Sequence, residues 1–263
     1  MKRKRILVIS DLHAGHEFGL CGPGWWRPDK GKTAKTGKFE RELWKFYTQA
    51  VDSLKPIDLL IVNGDAIEGK GLDTGGIELI TPDRHDQARM ATEAIEYTEA
   101  PIIRLIYGTA RHTGKEEDFE STIVDLLKPK NAKIQGHAFL RINGVNVDIK
   151  HKVGSSTIPH GRHTALARER LWNVIWNSEH ERQPRADLLV RSHVHFFSQC
   201  GGTSWLGITT PGLCYNSTYG VRSCSGLVDV GMVVFDFDES GGGYSWHPIL
   251  ANFADLRVRP ESL

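Results

Sequence analysis

Five apolar runs in this chain end on aspartate, histidine or both. Ile6-Leu-Val-Ile9 leads through Ser10 into Asp11-Leu-His13, Leu59 to Val62 into Asn63-Gly64-Asp65, and Ile102 to Tyr107 into Gly108-Thr109-Ala-Arg-His112. Val145 to Lys150, which alternates with period two, runs into His151, and Leu188 to Ser192 into His193-Val-His195. Short runs of this kind read as strands, and those without alternation as strands covered on both faces. In open α/β sheets ligands bind beyond the carboxyl ends of the strands, so residues far apart in sequence are expected to converge there.

Between the runs lie amphipathic stretches that predict helices at about 39–54, 83–98, 117–127 and 164–178. Thr81-Pro82-Asp83 reads as an N-cap, a first-turn proline and an acid matched to the helix dipole. Asn143-Gly144 centres a β-hairpin over 138–151, and further strands are expected at 204–209, 231–237 and 244–248. Antiparallel strands beside buried, parallel-type ones predict a mixed sheet or two sheets. A chain of 263 residues, 40% hydrophobic, can form one sizeable core, so a single domain over 1–263 is expected.

The same counts exclude several classes. No apolar run approaches the roughly 20 residues of a membrane span, and 25% charged residues argue against disorder. The basic Met1 to Arg5 resembles the start of a signal peptide, but the apolar run behind it is halted by Ser10 and Asp11, so it reads as a lead into a strand. Cys21, Cys200, Cys214 and Cys224 show no CxxC spacing, and a reducing cytoplasm is the expected compartment, with no membrane partner. A net charge of +1 provides no global field for nucleic acid, so any phosphate affinity must be local.

Carboxylates and imidazoles gathered at strand ends are costly to bury unless they pair or bind metal. A mixed imidazole and carboxylate set suits Mn, Fe, Zn, Co or Ni rather than Ca or Mg. In order and spacing, Asp11-Leu-His13, Gly64-Asp65, Gly108-Thr109-Ala-Arg-His112, His151 and Ser192-His193-Val-His195 resemble the motifs of the calcineurin-like metallophosphoesterase family. That family's pattern is DxH, GD, GNH followed by an acid, a lone His, and GHxH. The resemblance implies an α/β fold of two packed mixed β-sheets flanked by helices, an αββα four-layer sandwich. It also implies Asp11, His13, Asp65 and His195 as ligands of one metal, with Asp65 bridging to a second that takes His151 and His193. Thr109 stands where the family has a ligating Asn, so the resemblance implies it as an oxygen ligand of the second metal, through its hydroxyl or backbone carbonyl, and Ala110 and Arg111 are extra residues before His112. Thr113 replaces the family's acid, leaving Glu116, Glu117, Asp118 or Glu120 to orient His112.

Two divalent ions on two carboxylates leave a net charge of about +2, which attracts an anionic phosphoester. Such ions, with manganese the first choice for assay, can activate a bridging hydroxide as nucleophile and clamp the phosphoryl oxygens. His112, outside the implied ligand set, is the expected general acid. After Asp65 comes Ala66-Ile67-Glu68-Gly69, without the arginine of the family's protein phosphatases, which favours a phosphodiesterase. The long loop at 15–38 holds Trp25 and Trp26 among Arg27, Lys30, Lys32, Lys35 and Lys38, a composition suited to stacking bases and holding a nucleic-acid backbone. It equally suits two core-packed tryptophans and solvated lysines. His16, Arg111, His160 and Arg162 are further candidate substrate contacts. The expectation is a nuclease similar to DNA-repair and phage-encoded members of the family. A small-molecule phosphatase or cyclic-nucleotide phosphodiesterase is the enzymatic alternative, and a nucleic-acid-binding protein with a decayed site the non-enzymatic one.

Overall fold

The computed structural model describes residues 2–26, 34–72, 74–114, 119–128, 130–156, 158–180, 182–216 and 228–253. The tip of the 15–38 loop, the start of the helix expected at 117–127 and residues 217–227, Cys224 included, lie outside them. The chain runs β1 (Lys4–Ile9), α1 (Ala34–Leu54), β2 (Leu59–Asn63), α2 (Arg84–Tyr97), β3 (Ile102–Ile106), α3 (Ala110–Thr113), α4 (Ser121–Leu126) and β4 (Asn131–Gln135). It continues through β5 (Ala138–Ile142), β6 (Val145–Lys152), α5 (Thr164–His180), β7 (Leu188–Ser192), β8 (Ser198–Gly202), β9 (Trp205–Thr209), β10 (Gly231–Phe237) and β11 (Tyr244–Leu250).

Two mixed sheets result, ordered β11-β10-β1-β2-β3-β4 and β5-β6-β7-β9-β8. In the first, β1 to β4 are mutually parallel, and β10 and β11 add antiparallel strands beyond β1. In the second, β6, β7 and β9 are parallel, with β5 and β8 antiparallel at the edges. Alternation along each strand divides the apolar residues between two cores. Leu7 and Ile9 face α1 and α2 in a core with Leu43, Val51, Met90 and Ile95. Ile6 and Val8 face the opposite way and meet Val147, Ile149, Val190 and Ile208 of the second sheet. Because both faces of the first sheet are covered, all five residues of β2 are buried. α5 covers the outer side of the second sheet, which completes the four-layer αββα arrangement.

Local chemistry shifts several boundaries. α2 is capped by Asp83, whose side chain accepts from the His85 amide at 2.8 Å, while Thr81 accepts from the Asp83 amide at 3.2 Å. The expected cap at Thr81 is therefore corrected by two residues. α1 begins at Ala34, inside the segment read as loop. β4 and β8 lie outside the expected strands, since their residues are mostly half or fully exposed and their sequences carry few apolar groups. Among the described residues no helix is long and apolar enough to cross a membrane.

Candidate active site

The ladder between β1 and β2 does not stop at the last strand residue. The Asp11 amide donates to the Gly64 carbonyl at 3.0 Å, His13 to Asp65 at 3.0 Å and Ala14 to Ala66 at 3.1 Å. Asp11 and His13 are thereby held alongside Gly64 and Asp65. Asp11, His13, Asp65, His193 and His195 all have positive φ, between +45° and +76°. Among the described residues only Glu99 and Asn143, the latter in the Asn-Gly hairpin turn, are other non-glycine residues of this kind. A left-handed conformation costs a residue with a Cβ about 1 kcal/mol or more, and such strain collects at functional sites. Glycine is required beside these residues. A Cβ on Gly64, itself at φ +82°, would overlap the His151 ring, and one on Gly108 would overlap Asp65 Oδ1.

The turns bring the side chains of four strand ends together. His13 Nε2 lies 3.2 Å from His195 Nε2, which is 3.3 Å from Asp11 Oδ1. His151 Nε2 is 3.0 Å from Asp65 Oδ2, and His193 Nδ1 is 3.9 Å from the same oxygen. The second ring nitrogens are tied back: His151 Nδ1 donates to the Asn63 carbonyl at 2.6 Å, and His13 Nδ1 is 2.8 Å from Glu68 Oε2. This is how metal-binding imidazoles are commonly oriented, with one nitrogen anchored and the other presented.

Burial alone raises the Asp11 carboxyl, but His195 and His151 outweigh it and bring it down to about 2. Burial alone would likewise raise the Asp65 carboxyl, but His151 outweighs it and holds Asp65 well below the usual carboxylate range. Burial would lower His151, but Asp65 holds it up at about 9.

These residues fit divalent metal. Asp11 Oδ1 is buried and has no hydrogen-bond partner, although it faces two imidazoles. Ligand atoms of Asp65, His151 and His193 lie within 4.8 Å of one another, as do those of His13, Asp65 and His112, and those of His13, His195 and Cys214.

Thr109 caps α3, so its carbonyl is taken by the His112 and Thr113 amides at 2.9 and 3.0 Å. Its amide and hydroxyl both donate to Asp65 Oδ1, at 2.6 and 3.3 Å. The extra Ala110 and Arg111 form the turn of α3 that carries His112 to Glu68, whose carbonyl oxygen accepts from His112 Nδ1 at 2.8 Å. Glu68 Oε2 is also 3.5 Å from that nitrogen. Glu68 thus orients His112; of the acids expected in that role, Glu116, Glu117 and Asp118 lie outside the described residues. Glu120, the member of that set among the described residues, is buried and accepts from the Ala66 and Gly108 amides at 2.6 and 2.7 Å. Burial and the nearby Asp65 charge raise its carboxyl to about 7.

Cys214 also escaped the sequence reading, because a lone cysteine beyond the motifs carries no spacing signal. Its Sγ lies 3.6 Å from His195 Nδ1.

The candidate substrate residues are placed more variously. His16 is buried, 3.2 Å from Glu78, and accepts from the Phe18 amide. Trp25 and Trp26 pack against the helix-side core, with indole nitrogens donating to Glu93 and to the Cys21 carbonyl. Arg111 is exposed beside His112, and His160 is exposed in a short helical turn over Pro159–Gly161. The Arg162 guanidinium lies 4.4 Å from the ring centre of Phe196, the residue after His195.

No protein-family model matches the sequence, and no curated protein matches it. Solved structures with a similar chain course include an archaeal phosphodiesterase, 12% identical with a TM-score of 0.46, covering 93% of this chain and 99% of its own. Chaetomium thermophilum Vps29 is 9% identical with a TM-score of 0.45, covering 94% of this chain and 97% of its own. A single mutant of Entamoeba histolytica Vps29 is 11% identical with a TM-score of 0.42, covering 94% and 99%.

Proposed function

We propose that this chain is a phosphoester hydrolase of the calcineurin-like metallophosphoesterase type, working with two divalent transition-metal ions as a phosphodiesterase on nucleic acid. The observation that carries the reading is the strained convergence of Asp11, His13, Asp65, His193 and His195 on left-handed turns, with Asp11 Oδ1 left without a partner. Asp11, His13, Asp65 and His195 would hold one ion, and Asp65, His151 and His193 the other, with Thr109 supporting Asp65. Bound ions would supply an activated water and neutralise the phosphoryl oxygens. Glu68 fixes the His13 and His112 rings, and His112 Nε2, facing the cluster, would deliver the proton that an alkoxide leaving group needs. Diester preference is supported by the absence of arginine in Ala66-Ile67-Glu68-Gly69, since a singly charged diester needs less cationic clamping than a dianion.

The test is metal analysis of the purified chain, together with hydrolysis of a generic aryl phosphodiester and its monoester under excess Mn. Two ions per chain and faster diester cleavage are expected, and a panel of single-stranded DNA, duplex DNA, RNA and cyclic nucleotides then identifies the substrate. Asp65→Asn should abolish turnover and lower metal content, because a shared carboxylate compensates both cations. Full metal content and activity in that variant would refute the two-metal reading.

A further inference from the structure

α5 carries apolar side chains on its solvent side as well as at buried Ala165 and Leu166. Its buried side carries Arg170 and Asn173, which bind the strand-entry loop: Arg170 donates to the Ala186 carbonyl, while Asn173 accepts from the Ala186 amide at 2.9 Å and donates to the Pro184 carbonyl at 3.0 Å. Its solvent side carries Leu171, Trp172, Val174 and Ile175, which are 59%, 54%, 38% and 36% exposed. Scattered exposed apolar residues need no explanation, but a contiguous helical patch of this kind marks a surface that is covered in use. At 3.6 residues per turn, Arg168, Leu171, Trp172, Ile175 and Glu179 fall within roughly 100° of one another, a single stripe along the helix.

The charges at the ends of the stripe say what covers it. Arg168 lies toward the N-terminus of α5 and Glu179 toward the C-terminus, the reverse of what the helix dipole favours. Neither forms an ion pair within the chain among the described residues, and both are exposed. Against a parallel copy of α5, like charges would meet. Against an antiparallel copy, Arg168 meets Glu179, Trp172 meets Ile175, and the two dipoles oppose each other. We propose that this face is an isologous interface on which a second copy of the chain docks its own α5 antiparallel. A single helix pair buries an area at the low end of stable interfaces, so the dimer dissociates on dilution.

Sedimentation equilibrium of the full chain across a concentration series tests this. A monomer–dimer equilibrium is expected, and Trp172→Glu should weaken it by roughly tenfold or more, as for a central aromatic anchor. Arg168→Glu and Glu179→Arg should each weaken it, and the double variant should recover wild-type association, because the swapped charges again face opposites. All positions are on the surface, and circular dichroism with bound-metal content verifies that each variant is folded. A chain monomeric at every concentration, a dimer indifferent to Trp172→Glu, or a double variant no tighter than the singles would overturn the proposal. The first of these results would assign the face to a different partner or to another segment of the same chain.

Discussion

Because His112 Nδ1 donates to the Glu68 carbonyl, the atom facing the cluster is Nε2, 3.9 Å from Asp65 Oδ2. His112→Ala is expected to retain both metals and to lose roughly 10²–10⁴-fold in rate on alkoxide-leaving substrates such as nucleic acid, with a much smaller loss on aryl esters that leave without a proton. Equal losses on both substrates, or one metal fewer by elemental analysis, would make His112 a ligand or phosphate anchor instead. Cys214 gives a second expectation. With its Sγ against His195 Nδ1, Cys214→Ala should weaken one metal position by about 10–100-fold in a chelator competition, and leave the other unchanged. The strand-end residues were legible because each follows directly on an apolar run. Glu68 and Cys214 were not, since their partners are chosen by how the turns fold. Glu120 could not be told from its acidic neighbours until its two backbone donors were seen.

At the scale of elements, the buried strands announced themselves by apolarity, and the hairpin by Asn143-Gly144. Edge strands β4 and β8 did not, because one exposed side removes most of the signal. The helix-like composition of α5 was legible, but not which side would face inward, since its polar inner residues serve neighbouring carbonyls and amides rather than solvent. The turn after β2 is the element least tolerant of change. Gly64→Ala would impose a Cβ at φ +82° and push it into the His151 ring. Calorimetric metal titration of that variant should show one binding step where wild type shows two. Two unaltered steps would mean that the turn can relax without moving His151.

For the whole molecule, the proposed metal binding would link to protons and stability through one imidazole. In the metal-free protein His151 is held near 9, above its ordinary 6.5, so its charge stabilises the fold fully below pH 6.5, and this contribution is lost as pH climbs through about 9. Metal must displace that proton, so affinity should rise by up to about one log unit per pH unit below pH 9, with proton release visible in buffers of differing ionisation enthalpy. Affinity that stays flat with pH would show that His151 is not displaced. The continued ladder from Asp11–Gly64 to Ala14–Ala66 adds a geometric consequence. Adjacent strands in a sheet stand about 4.8 Å apart. Asp11 and Asp65 ride on neighbouring strands of that ladder, so the pitch of the sheet sets how far apart the two carboxylates stand that would share one ion. The backbone, laid down with the core, fixes the spacing before any ion arrives.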